Sequence, residues 1–96
     1  MKLPITQSAL NEFCRKNHIK KLALFGSVLH GNERPDSDID ILVEFEDGFA
    51  PGLRFFSMSE DLGAILGRKV DLNTPAFLSK YFRDQVLAEA EVQYVA

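Results

Sequence analysis

The stretch Leu24-Phe25-Gly26-Ser27 is followed, after ten further residues, by Asp38-Ile39-Asp40-Ile41-Leu42-Val43, and these two segments decide the fold. The first closes a short apolar run at a glycine, which is typical of a buried strand ending in a tight turn. The second alternates in polarity, so Asp38 and Asp40 would project together from the face opposite the isoleucines. We therefore predict two strands, with a glycine corner at the end of the first and two carboxylates at the start of the second.

The carboxylates and the glycine corner suit phosphate and metal chemistry. Two adjacent carboxylates repel each other, and a cation between them removes that cost. Mg²⁺ prefers such ligands and completes its shell with waters and phosphate oxygens. Gly26 would let a phosphate approach the main chain, and Ser27 would add a hydroxyl donor at the start of a helical turn. Alone, a Gly-Ser pair is usually a turn and Asp-x-Asp usually two solvated acids, but their combination at two strand ends indicates a nucleotide site.

A third acid, Asp71, stands between Val70 and Leu72 in a short apolar stretch typical of a strand. If this strand lies beside the second one, Asp71 can join Asp38 and Asp40. Three carboxylates could hold two metal ions, an arrangement that serves in-line phosphoryl chemistry. The alternative for Asp71 is a surface acid on a half-exposed strand.

The remaining sequence predicts a small α/β domain over residues 1–96. Hydrophobic spacing predicts three helices, over 6–17, 55–66 and 77–90. Thr6 or Ser8 could cap the first helix, and Gly67 closes the second. Strands are predicted over 19–25, 38–45 and 69–73, with 92–95 as an edge strand or a frayed tail, 27–31 as a helical turn and 32–37 as a loop. The short first connection predicts an antiparallel pair, and the helical second connection predicts a parallel pair. The expected fold is a mixed sheet of three to four strands flanked by helices.

Composition argues against several other classes of protein. The net charge of −3 argues against a broad surface for binding DNA or RNA. The single cysteine, Cys14, permits no disulfide within the chain, and its helical spacing with Leu10 predicts a core position. No apolar run is long enough to span a membrane, and the N-terminus lacks the apolar stretch of a signal peptide, so we expect a cytoplasmic protein.

The two quoted segments resemble the signature of the DNA polymerase β nucleotidyltransferase superfamily, and the chain as a whole resembles the minimal nucleotidyltransferases, the MntA-like antitoxins of HEPN/MNT toxin–antitoxin pairs. The resemblance implies that Ser27 contacts the triphosphate and that Asp38 and Asp40 bind two Mg²⁺ ions. It implies that Asp71 binds the catalytic metal and helps to activate the attacking hydroxyl. It also implies ATP as donor and a tyrosine hydroxyl of a cognate HEPN toxin as acceptor.

The sequence departs from the family pattern just after the Gly-Ser pair. Many relatives carry a basic residue there, whereas this chain has Val28 and Leu29. Arg34 is the nearest cation in the loop and could substitute for it. We expect His30 to be a loop or helix-end residue rather than a general base.

Other functions remain open. The first is toxin binding without catalysis, using aromatic residues of which we expect at least four to be core: Phe55, Phe56, Phe77, Tyr81, Phe82 and Tyr94. The second is adenylylation of a small molecule, although the related enzymes that do this are larger. The spacing Asp36-x-Asp38-x-Asp40 resembles the start of an EF-hand calcium loop, but Ile41 stands where that loop requires glycine. A domain this small could need a partner to complete its pocket, so a homo- or hetero-oligomer is left open.

Overall fold

The computed structural model describes residues 3–26, 38–81 and 83–96, within which helices and strands are interleaved along the chain. In chain order the elements are α1 (Gln7–Lys16), β1 (Ile19–Phe25), β2 (Ile39–Phe45), α2 (Arg54–Leu66), β3 (Val70–Asn73), a 3₁₀ turn (Pro75–Phe77), α3 (Arg83–Glu89) and β4 (Glu91–Val95). The turn predicted over 27–31 and the loop predicted over 32–37 lie outside the described residues. No helix in the described part of the chain combines the length and the apolar composition that crossing a bilayer requires.

The strands form one mixed four-stranded sheet in the order β3-β2-β1-β4. β1 pairs antiparallel with β2 on one side and with β4 on the other. β2 and β3 run parallel, joined by the segment that contains α2. The predicted mixed sheet and both predicted strand orientations are therefore confirmed, and the C-terminal segment is an edge strand.

The core lies on one face of this sheet. Ile39, Ile41 and Val43 alternate along β2 onto that face and are fully buried. They share one apolar cluster with residues of α1 and α2, including Cys14 and Leu62. Because strand side chains alternate, Asp38 and Asp40 lie on the face opposite this core.

Both long helices carry the end signals that the sequence predicts. The Thr6 hydroxyl accepts a hydrogen bond from the Ala9 N–H at 3.1 Å, which caps the start of α1. α2 ends at Gly67, whose φ of 70° places it in the left-handed region that glycine enters without strain.

The helix predicted over 77–90 is wrong in its first part. Pro75 opens a 3₁₀ turn that ends at Phe77, and Leu78 then adopts an extended backbone with φ −80° and ψ 143°. Leu78 is buried, and its carbonyl accepts a hydrogen bond from the Arg83 guanidinium at 3.0 Å. Leu78 thus buries its side chain and pairs its carbonyl without being helical. The regular helix runs only over Arg83–Glu89.

The expectation that at least four of the six aromatic residues are core is also wrong. Tyr94 is buried and Phe55 packs partly buried against the core, whereas Phe82 lies outside the described residues. Three others are exposed: Phe56 at 68%, Phe77 at 65% and Tyr81 at 88%. Neighbouring helix positions point about 100° apart, so Phe55 and Phe56 cannot both face the core. The shorter last helix removes the stripe that would have turned Phe77 and Tyr81 inward.

The buried thiol of Cys14 provides a test of this packing. Desolvation by burial raises its pKa from 9.0 to about 12, so the thiolate fraction at pH 8 should be lower in the folded protein by roughly 10³-fold. We expect a thiol reagent at pH 8 to react about that much more slowly with folded than with urea-unfolded protein. Because the folded state holds the thiol proton more tightly, this contribution to stability is complete below pH 9 and is lost as the pH rises toward 12. Similar labelling rates with and without urea would contradict the buried position.

Candidate active site

Two of the predicted acids meet between β2 and β3. The parallel register places Asp40 directly beside Asp71, and their carboxyl groups share a hydrogen bond. Burial raises the pKa of Asp40, and the neighbouring charge of Asp71, the shared hydrogen bond and the charge of Asp38 raise it further. Such a hydrogen bond requires one proton between the two groups, because an ionised carboxylate only accepts. The pair is therefore under electrostatic strain whenever both members are ionised.

The glycine corner lies against this pair. Gly26 follows Phe25, which pairs with Asp40 across β1 and β2, and it has a φ of 77°. A Cβ atom placed on Gly26 would overlap Oδ2 of Asp40 and lie 3.1 Å from its Cγ. Glycine is thus required twice, once for the left-handed backbone and once for the space that the Asp40 carboxyl fills. The structure shows that the Asp40 carboxyl fills the space beside Gly26, and the approach of a phosphate to the main chain there remains a prediction.

The third acid has a different neighbour. Asp38 stands one residue before β2, and its Oδ2 lies 3.9 Å from Nζ of Lys69, which stands one residue before β3. Sequence analysis did not single out Lys69. A signal was nevertheless available, because aligning Asp40 with Asp71 in parallel strands places residue 38 opposite residue 69.

Carboxyl oxygens are suitable ligands for a hard divalent cation, but the three acids do not converge on one point in this structure. Oxygen ligands of this kind suit Mg²⁺, and the strained pair of Asp40 and Asp71 would gain from a cation. Within residues 3–26, 38–81 and 83–96, no three acidic, histidine or cysteine side chains converge as they stand into a set that could hold a metal ion. Asp40 and Asp71 are therefore together, whereas Asp38 lies beside Lys69 and does not form a set of three with them as the side chains stand.

Ser27, predicted to contact the triphosphate, and Arg34, the predicted substitute cation, lie outside the described residues. Val28, Leu29 and His30 lie outside them as well. The roles of Ser27 and Arg34 therefore remain predictions. Two lysines near the start of β1, at the end of the strand away from Gly26, form ion pairs on the surface. Lys20 pairs with Asp47 at 3.6 Å and Lys21 with Glu44 at 4.0 Å.

Acids on adjacent parallel strands with a glycine corner beside them suit phosphoryl or nucleotidyl transfer, in which carboxylates hold metal ions that contact the phosphates. The family model of the nucleotidyltransferase domain matches residues 7–92, so the chain belongs to the nucleotidyltransferase domain family and is a nucleotidyltransferase.

Within that family the chain is similar to minimal members. It is 38% identical over 71 residues to the protein adenylyltransferase MntA of Thermococcus cleftensis, covering 74% of this chain and 71% of that protein. A solved structure described as a candidate minimal nucleotidyltransferase is 36% identical, with a TM-score of 0.72 and coverage of 88% of this chain and 85% of that one. A more distant structure, at 22% identity and a TM-score of 0.65, covers 94% of this chain and 70% of that one and supports the fold alone. It is described as a tri-AMPylated Shewanella oneidensis HEPN toxin in complex with MNT antitoxin.

Proposed function

We propose that this chain is a Mg²⁺-dependent protein adenylyltransferase, which transfers AMP from ATP to a tyrosine hydroxyl of a HEPN toxin and so acts as its antitoxin. Residues 1–96 would serve as one minimal catalytic domain. Because the reaction consumes ATP, we place it in the cytoplasm.

The observation that carries the proposal is the contact between Asp40 and Asp71 on adjacent parallel strands, with Gly26 closed against Asp40. Two carboxylates in contact destabilise the fold when both are ionised and no cation lies between them. Packing of the fold alone therefore does not explain why Asp40 and Asp71 are adjacent. An unfavourable charge pair beside a glycine turn is expected where a metal and a phosphate bind.

The residues divide the chemistry among them. Asp38, Asp40 and Asp71 would hold two Mg²⁺ ions, which lower the pKa of the attacking hydroxyl and stabilise the leaving pyrophosphate. Asp71, the more exposed member of the pair, is the proposed acceptor of the hydroxyl proton. The hydroxyl oxygen forms a bond to the α-phosphorus while the bond from that phosphorus to the bridging oxygen breaks. Gly26 keeps Asp40 in place, and Ser27 is the proposed donor to the phosphates.

The choice of donor and acceptor is supported by the relatives. The Thermococcus cleftensis protein is described as a protein adenylyltransferase, which supports AMP as the transferred group. The Shewanella oneidensis complex pairs an AMPylated HEPN toxin with an MNT antitoxin, which supports a HEPN toxin as acceptor.

The test is transfer of label in a mixture of three components. The purified chain, Mg²⁺ and the product of the neighbouring gene are incubated with ATP labelled at the α- or the γ-phosphate. We expect label from the α-position on a tyrosine of the partner and none from the γ-position. Label from the γ-position would indicate a kinase, and no protein-bound label would reject adenylyl transfer to that partner.

A second candidate is an antitoxin that acts by binding alone. The exposed aromatic residues Phe56, Phe77 and Tyr81 favour it, since solvent-exposed aromatic side chains are common at protein interfaces. This candidate predicts that the Asp40→Asn variant neutralises the toxin as well as the wild type does. The catalytic proposal predicts that neutralisation is lost while the complex still forms.

A further inference from the structure

Asp38 is the only one of the three proposed metal ligands for which the described part of the chain contains an ion pair. Its Oδ2 lies 3.9 Å from the Lys69 ammonium, and the two side chains are 43% and 80% exposed. Asp40 and Asp71 meanwhile contact each other and form no ion pair among the described residues. The carboxylate that has to move to complete a metal site is therefore the one that holds a cation of the protein itself.

The backbone fixes Lys69 in this position. Its carbonyl accepts a hydrogen bond from the Ile39 N–H at 3.0 Å, which ties the residue before β3 to the start of β2. The side chain can change its conformation without the backbone, because it is mostly exposed and carries the ammonium on a flexible four-carbon stem. The ammonium can thus leave Asp38 while the backbone of Lys69 stays bonded to the start of β2.

We propose that Lys69 is a positioning residue that occupies Asp38 until a divalent cation displaces it, and that this competition weakens the affinity of the site for the cation. Asp38 acts as a metal ligand in the proposed function, and the role of Lys69 rests on that assignment. In the absence of metal, the ammonium neutralises Asp38 and keeps a third negative charge from closing on Asp40 and Asp71. When a divalent cation binds, Asp38 turns to it and the ammonium is released toward solvent.

An exchange of this kind has a predictable size. An exposed ion pair at this distance is weak, so the competition should be modest and easily overcome by a doubly charged ion. We expect that removing the lysine charge tightens binding of the cation by about two- to fivefold.

The experiment measures binding of Mn²⁺ to the full chain without nucleotide, by paramagnetic resonance of the free ion. We expect Lys69→Met to bind Mn²⁺ about two- to fivefold more tightly than the wild type, and Lys69→Arg, which keeps the charge, to stay within twofold of it. The matched control is Lys20→Met, which removes the same charge from another exposed ion pair at the opposite end of the strands. It should leave the affinity unchanged.

Three results would overturn the role of Lys69: equal affinity in the wild type and Lys69→Met, equal tightening in Lys20→Met, or tightening in Lys69→Arg as large as in Lys69→Met. Absence of Mn²⁺ binding in the wild type would instead overturn the metal site of the proposed function and with it the role of Lys69. Measurable wild-type binding together with an unchanged Lys69→Met variant would reject the lysine alone.

Discussion

Replacing Asp40 with asparagine should abolish adenylyl transfer and make the protein more stable. The amide is neutral and offers one oxygen where the carboxylate offers two, so the proposed metal site loses a negative charge and an oxygen ligand. A bound metal is worth several kcal/mol of transition-state stabilisation, and losing one of its ligands should lower the rate by about 10³-fold or more. The transfer assay with ATP labelled at the α-phosphate measures this loss.

The expected gain in stability comes from removing the negative charge of Asp40. Burial and the neighbouring acids raise the pKa of Asp40 above its ordinary value of 3.8, so its ionised form is disfavoured in the fold. The wild type thus carries no penalty below pH 3.8, and the penalty develops as the pH rises through the raised value. We expect Asp40→Asn to melt at a higher temperature than the wild type at pH 7 without metal, and this difference to vanish below pH 3.8.

The matched control is Asp61→Asn, which removes an exposed acid of α2. It should change neither transfer nor the melting temperature appreciably. Near-normal transfer by Asp40→Asn would contradict the assignment of this acid to the site. A lower melting temperature at pH 7 would contradict the strain between Asp40 and Asp71.

Replacing Gly26 with alanine should have the second-largest effect. The new Cβ would overlap the Asp40 carboxyl, and the φ of 77° is itself unfavourable for alanine. Asp40 would have to shift by about 1 Å, which typically costs about 10²-fold in rate. We expect the free energy of unfolding to fall by about 1–3 kcal/mol as well. Transfer kinetics and urea unfolding measure the two effects.

A second glycine serves as a control that separates the backbone strain of alanine at a positive φ from displacement of the Asp40 carboxyl. Gly48 has a φ of 82°, but a Cβ there would meet nothing within 4 Å. Gly48→Ala should therefore lower stability by about 1 kcal/mol and leave transfer unchanged. If Gly26→Ala retained full activity, or if Gly48→Ala lost as much activity, the contact between Gly26 and Asp40 would not explain the role of the glycine.

The sheet could be predicted because its signals are local. The apolar run that ends at Phe25 and the alternation from Ile39 mark two strands independently of the rest of the chain. The glycine at position 67 likewise marks the end of α2, since few other residues adopt its backbone conformation. The parallel orientation of β2 and β3 follows from the length of the segment between them.

The failures come from features that depend on distant contacts. The spacing of Leu78 and Tyr81 is compatible with a helix, but whether Leu78 is buried in an extended conformation depends on the sheet behind it. The exposure of Phe56, Phe77 and Tyr81 likewise depends on which elements cover them. The ion pair of Asp38 with Lys69 joins residues 31 positions apart, so it becomes visible only once the strand register is known.

The central claim is that Asp38, Asp40 and Asp71 bind divalent cations together with a nucleotide. The most direct measurement is anomalous diffraction from crystals of the protein grown with Mn²⁺ and a non-hydrolysable ATP analogue. We predict an anomalous peak about 2.1 Å from carboxylate oxygens of Asp38 and Asp40. The Lys69 ammonium should have left Asp38, and the α-phosphate should lie beside the peak. A nucleotide bound with no peak at these carboxylates, or a peak with Asp71 facing away from it, would contradict the account.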